Sequence, residues 1–223
     1  TQYGVVQRPT HRNTSWDMAK FEVCAHKFAD LSEFGYGVAL LNDCKYGHST
    51  LENTMSLTLL RSPKSPDEHC DMGKHSFRYA LYPHKGCFNE SNVVQEAYHF
   101  NVPLLKISGA ISDTCISSGT PYFSLSGARN VVLDAVKMAE DDENGYIVRL
   151  YEAYGGHANA LLTAKLPFTH VQKVNILEEP MGDDSGDEVT VLPFSKTVKS
   201  DYLFYALYVA EFFFTKSSAL MDV

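Results

Sequence analysis

The chain has 223 residues, of which 44% are hydrophobic and 12% aromatic, which is enough for one sizeable core or two smaller ones. Its formal net charge of -8 argues against nucleic acid as the main partner, because that partner requires a basic stripe and the sequence shows none. The five cysteines are odd in number and form no Cys-x-x-Cys pair, which favours reduced thiols in a cytoplasmic protein.

We expect no membrane segment. The most apolar run, residues 201–214, is interrupted by Glu211 and is shorter than the roughly 20 residues that a spanning helix needs. The N-terminus carries no apolar segment of the signal type, although the chain does not begin with Met, which leaves a lost leader open.

The first half of the chain has the composition of β-strands. Short segments rich in β-branched and aromatic residues are separated by Gly, Pro, Asn or Ser, which predicts strands at 3–7, 20–28, 36–42, 54–61 and 75–83. In the last of these, Phe77, Tyr79 and Leu81 share one face and Arg78, Ala80 and Tyr82 share the other, and one of the two faces is expected to be buried. Residues 91–100 instead have apolar positions at helical spacing after a capping Ser91, which predicts one short helix.

The second half has the pattern of a β-meander. Residues 106–121 are small and polar, which predicts a loop or linker. Segments 129–140 and 145–156 flank an acidic turn that ends in Asn144-Gly145, a hairpin signal, and three further strand-like segments follow at 157–166, 171–179 and 187–194. We therefore predict an all-β fold, with a large β-sandwich (super-sandwich) segment in residues 1–125, a smaller terminal β-sandwich in 126–197 and an atypical tail in 198–223.

Motifs for metal binding and nucleophilic catalysis are weak. His69, Cys70, Asp71 and His75 are of metal-ligating types, but their spacing matches no four-ligand pattern, so a solvated loop is the favoured interpretation. His157, beside a Gly-Gly turn, is a weak ligand candidate, and the acidic runs lack the distal Glu of a calcium loop. No Gly-x-Ser-x-Gly elbow and no recognisable Cys-His context occurs. Composition and spacing alone therefore leave the activity open.

The turn at residues 42–47, NDCKYG, follows an apolar strand and brings an acid, a base and a phenol together. Two interpretations stay open from the pattern: an ordinary hairpin turn, or one wall of a ligand cleft.

Three longer stretches, occurring in this order, carry a resemblance to a known family. They are QRPTHRNTSWDMAKFEVCAHKFADLSEFGYGVALLNDCKYG (7–47), LTLLRSPKSPDEHCDMGKHSFRYALYPHKG (57–86) and VRLYEAYGGHANALLTAKLP (148–167). Together they resemble the C-terminal β region of the cytosolic type of α-mannosidase, in glycoside hydrolase family 38.

The resemblance implies an enzyme larger than this chain. Members of the family resemble one another in having an N-terminal α/β barrel, a helical bundle and a β-sandwich region, with zinc ligands and catalytic acids in the barrel and bundle. No residue of this chain matches a catalytic acid or a metal ligand. The expected zinc therefore lies outside this chain, its expected partner is the missing catalytic barrel, and the fragment alone is expected to be inactive.

The implied reaction is retaining hydrolysis of terminal non-reducing α-D-mannose from free oligomannosides in the cytoplasm. A different class of protein remains as the alternative: a stand-alone carbohydrate-binding or interaction module without catalysis.

Within the resemblance, loops of the β region complete the sugar cleft, which implies Asp43, Tyr46 and Arg61 as substrate-binding residues. A carboxylate accepts hydrogen bonds from sugar hydroxyls, a phenol ring stacks on a sugar face and a guanidinium clamps a hydroxyl. The alternative is that Asp43, Lys45 and Arg61 form ion pairs that hold the sandwich to the barrel. Trp16 is expected to be a core or interface anchor.

The end of the chain departs from the family pattern after residue 194. Residues 202–214 are apolar on every face, unlike an edge strand, which alternates. We expect a tail derived from non-coding or frame-shifted sequence, with the native closing strand lost.

Overall fold

The computed structural model describes residues 1–108, 119, 121–158, 160–164, 168–181, 190–191 and 209–216, and gives only the backbone of 168–170, 190–191 and 209–216. The chain divides into two compact units, one made of residues 1–2 and 6–108 and the other of residues 3–5 and 109–223. Both units are built mainly from strands, so the predicted all-β class is confirmed.

The first unit holds two antiparallel three-stranded sheets, ordered β1-β4-β5 and β2-β3-β6. Its elements are α1 (Ser15–Ala19), β1 (Val23–Cys24), β2 (Phe28–Glu33), β3 (Tyr36–Asn42), β4 (Gly47–Leu51), β5 (Thr54–Leu57), β6 (Tyr79–Lys85), a 3-10 turn (Phe88–Glu90) and α2 (Val93–Asn101).

Helix α2, predicted from the spacing in residues 91–100, packs on one face of the β2-β3-β6 sheet. The buried cluster there consists of Ala39 and Leu41 of β3 with Val93 and Ala97 of the helix. Strand β6 alternates as predicted, but the face that α2 covers carries Ala80 and Tyr82, whereas Tyr79 and Leu81 are exposed. The period of two determines which residues share a face, while the position of the helix decides which face is buried.

Two strand predictions in the first part of the chain differ from the structure, and one strand was not predicted. Residues 3–7 form no strand, and within residues 20–28 only Val23–Cys24 is extended before β2 begins. The preceding residues form α1, which is initiated by a capping box: Thr14 Oγ1 accepts from Asp17 N at 3.2 Å, and Thr14 N donates to Asp17 Oδ2 at 3.1 Å. Strand β4, in the polar sequence GHSTL, was not predicted because it lacks apolar alternation.

The second unit contains two further sheets, ordered β12-β10-β7 and β11-β13-β9-β8. The strands are β7 (Phe123–Ser126), β8 (Val131–Met138), β9 (Gly145–Glu152), β10 (Ala160–Ala164), β11 (Phe168–Val174), β12 (Thr190–Val191) and β13 (Val209–Lys216). The predicted hairpin is confirmed, because β8 and β9 pair antiparallel with Met138 opposite Tyr146.

The core of the second unit lies between its two sheets. Tyr146, Val148 and Leu150 alternate along β9 and meet Ala160 and Leu162 of β10 in one buried cluster. Strand β9 is buried on both faces, as its near-continuous apolar sequence requires.

Residues 209–216 of the predicted atypical tail are part of a sheet, and the origin of the tail stays a prediction. These residues form β13, which pairs with β9 on one side and β11 on the other. A central strand has both backbone edges paired, so the apolar pattern that argued against an edge strand is compatible with this position. Residues 201–208 and 217–223, like most of the loop predicted at 106–121, lie outside the described residues.

Candidate functional site

The turn after β3 is organised by a buried side chain that precedes the predicted site residues. Asn42 is fully buried, and its Oδ1 accepts from Lys45 N at 3.0 Å, which closes the turn. Its backbone carbonyl accepts from Asn101 Nδ2 at 2.9 Å, which links the turn to the end of α2. The backbone of residues 43–46 is therefore held from two directions.

Asp43 is bound by one residue of the neighbouring segment. Its Oδ1 accepts from Arg78 N at 2.9 Å, and its Oδ2 accepts from Arg78 Nε at 3.0 Å. Arg78 is oriented in turn by Phe100, whose carbonyl accepts from Nη2 at 3.0 Å and whose ring lies 4.9 Å from the guanidinium carbon. The backbone N–H of Arg78 is the largest cause that lowers the pKa of Asp43, to about 2. Asp43 is thus an oriented carboxylate at neutral pH.

Tyr46 lies on the same turn and is half-exposed. Its ring packs against His26, with centroids 4.8 Å apart and planes tilted by 44°, and its carbonyl accepts from Ala25 N at 3.0 Å. Lys45, between the two predicted residues, places its ammonium 4.8 Å from the centroid of the Phe77 ring. The turn therefore carries an acid and a half-exposed aromatic ring, each held by its own neighbour.

Arg61 lies beyond β5 in an exposed loop. Among the described residues, none of Asp43, Tyr46 and Arg61 contacts another of the three, so the structure does not assemble them into one cluster. The alternative interpretation predicted that Asp43, Lys45 and Arg61 form ion pairs. In the structure, the cation that binds Asp43 is Arg78 rather than Lys45 or Arg61. Trp16 is 78% exposed, so it is not a core residue of the first unit, and its role as an interface anchor stays a prediction.

The loop with His69, Cys70, Asp71 and His75 does not form a metal centre. His75 Nε2 lies 2.8 Å from the Asp71 carbonyl, while the Asp71 carboxylate accepts from Ser62 N at 3.1 Å. Across the part of the chain that the structure describes, no three His, Cys, Asp or Glu side chains are grouped as metal ligands. The described residues therefore do not fit zinc.

Comparison with known proteins defines the class. The profile described as "Glycosyl hydrolases family 38 C-terminal domain" matches residues 1–69, and "Glycosyl hydrolases family 38 C-terminal beta sandwich domain" matches residues 130–199. The chain is therefore a C-terminal β region of a glycosyl hydrolase, and it belongs to family 38.

Two individual relatives are named α-mannosidase. The chain is 47% identical over 195 residues to "Alpha-mannosidase" of Saccharomyces cerevisiae and 49% identical over 181 residues to "Alpha-mannosidase 2C1" of Homo sapiens. Each match covers 80% of this chain but 17% of the relative, so the chain spans about a sixth of their length.

A solved structure supports the fold. The crystal structure of an α-mannosidase from Enterococcus faecalis V583 superposes with a TM-score of 0.72 at 19% identity, covering 96% of this chain and 23% of that one. Separately, no helix among the described residues is long and apolar enough to cross a membrane.

The sequence did not identify two residues that contact the site. Arg78 binds Asp43 across 35 positions of sequence, and His26 lies against Tyr46 from the segment before β2. Arg78 alternates with apolar residues in a strand-like segment, a pattern that does not identify its partner.

Proposed function

We propose that the chain is the C-terminal part of an α-mannosidase that removes terminal non-reducing α-D-mannose from free oligomannosides in the cytoplasm by a retaining mechanism. The observation that supports the activity best is the 47–49% identity to two proteins named α-mannosidase over 80% of this chain. The catalytic acids and the zinc of that enzyme are proposed to lie in the part of the protein that precedes this chain.

In this proposal the chain contributes part of the rim of the sugar cleft. Asp43 offers an oriented, ionised carboxylate to sugar hydroxyls, and its bonds to Arg78 keep that carboxylate from swinging away. Tyr46 offers a half-exposed ring that His26 supports from one side. Arg61 is the exposed cation of the proposed rim, and it would donate to a hydroxyl from a second loop.

The activity is tested on the full-length protein with an aryl α-D-mannoside and with free oligomannosides, following the first anomer released by NMR. We expect hydrolysis of both, with α-mannose as the first product, because a retaining enzyme reacts through two inversions. Release of β-mannose would contradict the retaining mechanism.

Failure of the full-length protein to hydrolyse any α-mannoside while it still binds mannose would support the carbohydrate-binding module instead. Fractionation of cells tests the location, and enrichment in a membrane-bound compartment would contradict the cytoplasmic assignment.

A further inference from the structure

A shallow surface cleft on the first unit is lined by cations that the proposed sugar chemistry does not use. It lies where the segment before α1 crosses β1 and β4. Its wall carries three strong cations and one acid: Arg8, Arg12, Lys20 and Asp17. His11 and Thr50 also line it. This concentration of cations occurs in a chain whose formal net charge is -8.

The one acid of the lining is already engaged in local structure. Asp17 Oδ2 accepts from Thr14 N at 3.1 Å within the capping box of α1, and it lies 3.5 Å from His11 Nδ1. A hydrogen bond with the Thr14 side chain is the largest cause that lowers the pKa of Asp17, and the Thr14 backbone N–H lowers it further. This carboxylate is therefore engaged by the capping box of α1 and forms no ion pair with Arg8, Arg12 or Lys20 among the described residues.

The cations themselves have no carboxylate partner among the described residues. Arg8 Nη2 donates to the carbonyl of Cys24 at 3.0 Å, which orients its guanidinium without neutralising it. Arg12 and Lys20 are exposed and carry their charge into solvent at the cleft. The site therefore holds two guanidinium groups and one ammonium with free donors.

The backbone that carries these residues is fixed. Thr10 O, between Arg8 and Arg12, accepts from Glu52 N at 2.6 Å, which ties the segment to the turn after β4. Lys20 N donates to Asp17 O at 3.1 Å at the end of α1. The backbone positions and the Arg8 guanidinium are therefore held in place, whereas the exposed Arg12 and Lys20 side chains would lose rotamer freedom on binding an anion.

We propose that this cleft is a binding site for a small phosphate-bearing anion, either free phosphate or a phosphate monoester of a sugar. A phosphate monoester carries up to two negative charges and several acceptor oxygens, which match two guanidinium forks and an ammonium better than a single carboxylate does. Terminal mannose is uncharged, so this site goes beyond the proposed glycosidase function and does not depend on it.

The test is calorimetric titration of the full-length protein with inorganic phosphate and, separately, with a hexose 6-phosphate, with chloride added to keep the ionic strength constant. We expect saturable binding of at least one of them and a loss of affinity of about tenfold or more in the double variant Arg12→Ala/Lys20→Ala. Arg8 is left intact because its bond to Cys24 supports the fold.

The matched control is Lys64→Ala/Lys74→Ala, which removes two exposed cations of the same unit that do not line the cleft. This control should bind as the wild type does. Tighter binding of the hexose phosphate than of phosphate identifies a sugar ester as the ligand, and equal binding identifies the free ion. Absence of saturable binding to the wild type, or equal losses in the two double variants, would overturn the proposal.

Discussion

His84 and Asp30 form a buried pair on the face of the β2-β3-β6 sheet that α2 covers, with Nε2 and Oδ1 2.8 Å apart and both side chains less than a tenth exposed. The register explains the contact, because Ser32, Gly37 and His84 lie opposite one another across the three strands and Asp30 lies two residues before Ser32. The imidazole reaches Asp30 over Gly37, where no side chain intervenes.

Gly37→Ala should therefore destabilise the first unit. A Cβ at this position would overlap Cε1 and Nε2 of His84 and approach Ser32 Oγ, so the buried pair must shift. We expect a loss of about 1–3 kcal/mol, measured by urea unfolding. Gly4→Ala is the control, because its Cβ would meet nothing within 4 Å. Equal midpoints for the two variants would show that His84 can move aside.

The Asp43–Arg78 pair predicts a pH dependence of stability. The folded pKa of Asp43 is about 2, below the ordinary value of 3.8, so the unfolded chain binds more protons between these values. The stabilisation is complete above about pH 3.8 and is lost as the pH falls toward 2. Unfolding midpoints of wild type and Asp43→Asn should converge over this range. A constant difference down to pH 2 would mean that the charge of Asp43 is not responsible.

The burial of His48 predicts a second pH dependence of stability, at a pH closer to neutral. It is buried, and burial lowers its pKa below 6.5 because the charged imidazole is poorly solvated there. The unfolded state therefore binds more protons just below pH 6.5, and stability should fall as the pH decreases through that range. His48→Gln should flatten the profile between pH 5 and 7, whereas the exposed His69→Gln should leave it unchanged. An unaltered slope in His48→Gln would contradict the assignment.

The proposed rim is tested by kinetics of the full-length enzyme. We expect each of the variants Tyr46→Ala, Arg61→Ala and Asp43→Asn to raise KM or lower kcat, because each removes one contact to the sugar. The combined change in KM and kcat should lower kcat/KM by about tenfold. Arg78→Ala should give a smaller defect than Asp43→Asn, since it removes the guanidinium bond to Oδ2 but keeps the backbone N–H bond to Oδ1, while Lys74→Ala serves as the surface control. Reduced soluble yield with wild-type kinetics in the remaining protein would instead favour the role in joining domains.

An isosteric substitution of Glu152 should lower the free energy of unfolding substantially. It is buried at the end of β9, where Oε1 accepts from Asn130 Nδ2 and Tyr154 N, and Oε2 accepts from Gly155 N and Gly156 N, at 2.7–3.0 Å. Glu152→Gln would turn an NH₂ group toward N–H donors and should cost about 2 kcal/mol in urea unfolding. Glu140→Gln, on an exposed side chain of the same unit, should cost far less.

The sequence predicted the elements that depend on local pattern. Strand β3 was predicted with the bounds that the structure gives, and Asn144-Gly145 marked the β8–β9 hairpin, because turn chemistry and alternation act over a few residues. The resemblance identified the family, which the comparisons confirm.

Contacts between residues that are distant in sequence could not be predicted from local pattern. Arg78 meets Asp43, and His84 meets Asp30, only because strands distant in sequence become neighbours in a sheet. The cluster of Arg8, Arg12 and Lys20 likewise arises when α1 brings Lys20 back toward the preceding segment, so no basic stripe is visible in the linear sequence.

The position of β13 has a consequence for the order of assembly. Within the described residues β11 pairs in its sheet with β13, not with β9, and β13 follows β11 in sequence by more than thirty residues. The β8–β9 hairpin can form from residues that are close in sequence. Strand β11, in contrast, can join this sheet only after β13 has paired with β9. In a nascent or proteolytically trimmed chain that lacks β13, β9 and β11 would each have an unpaired backbone edge. A strand from another copy of the chain that paired with these edges would give a domain-swapped oligomer.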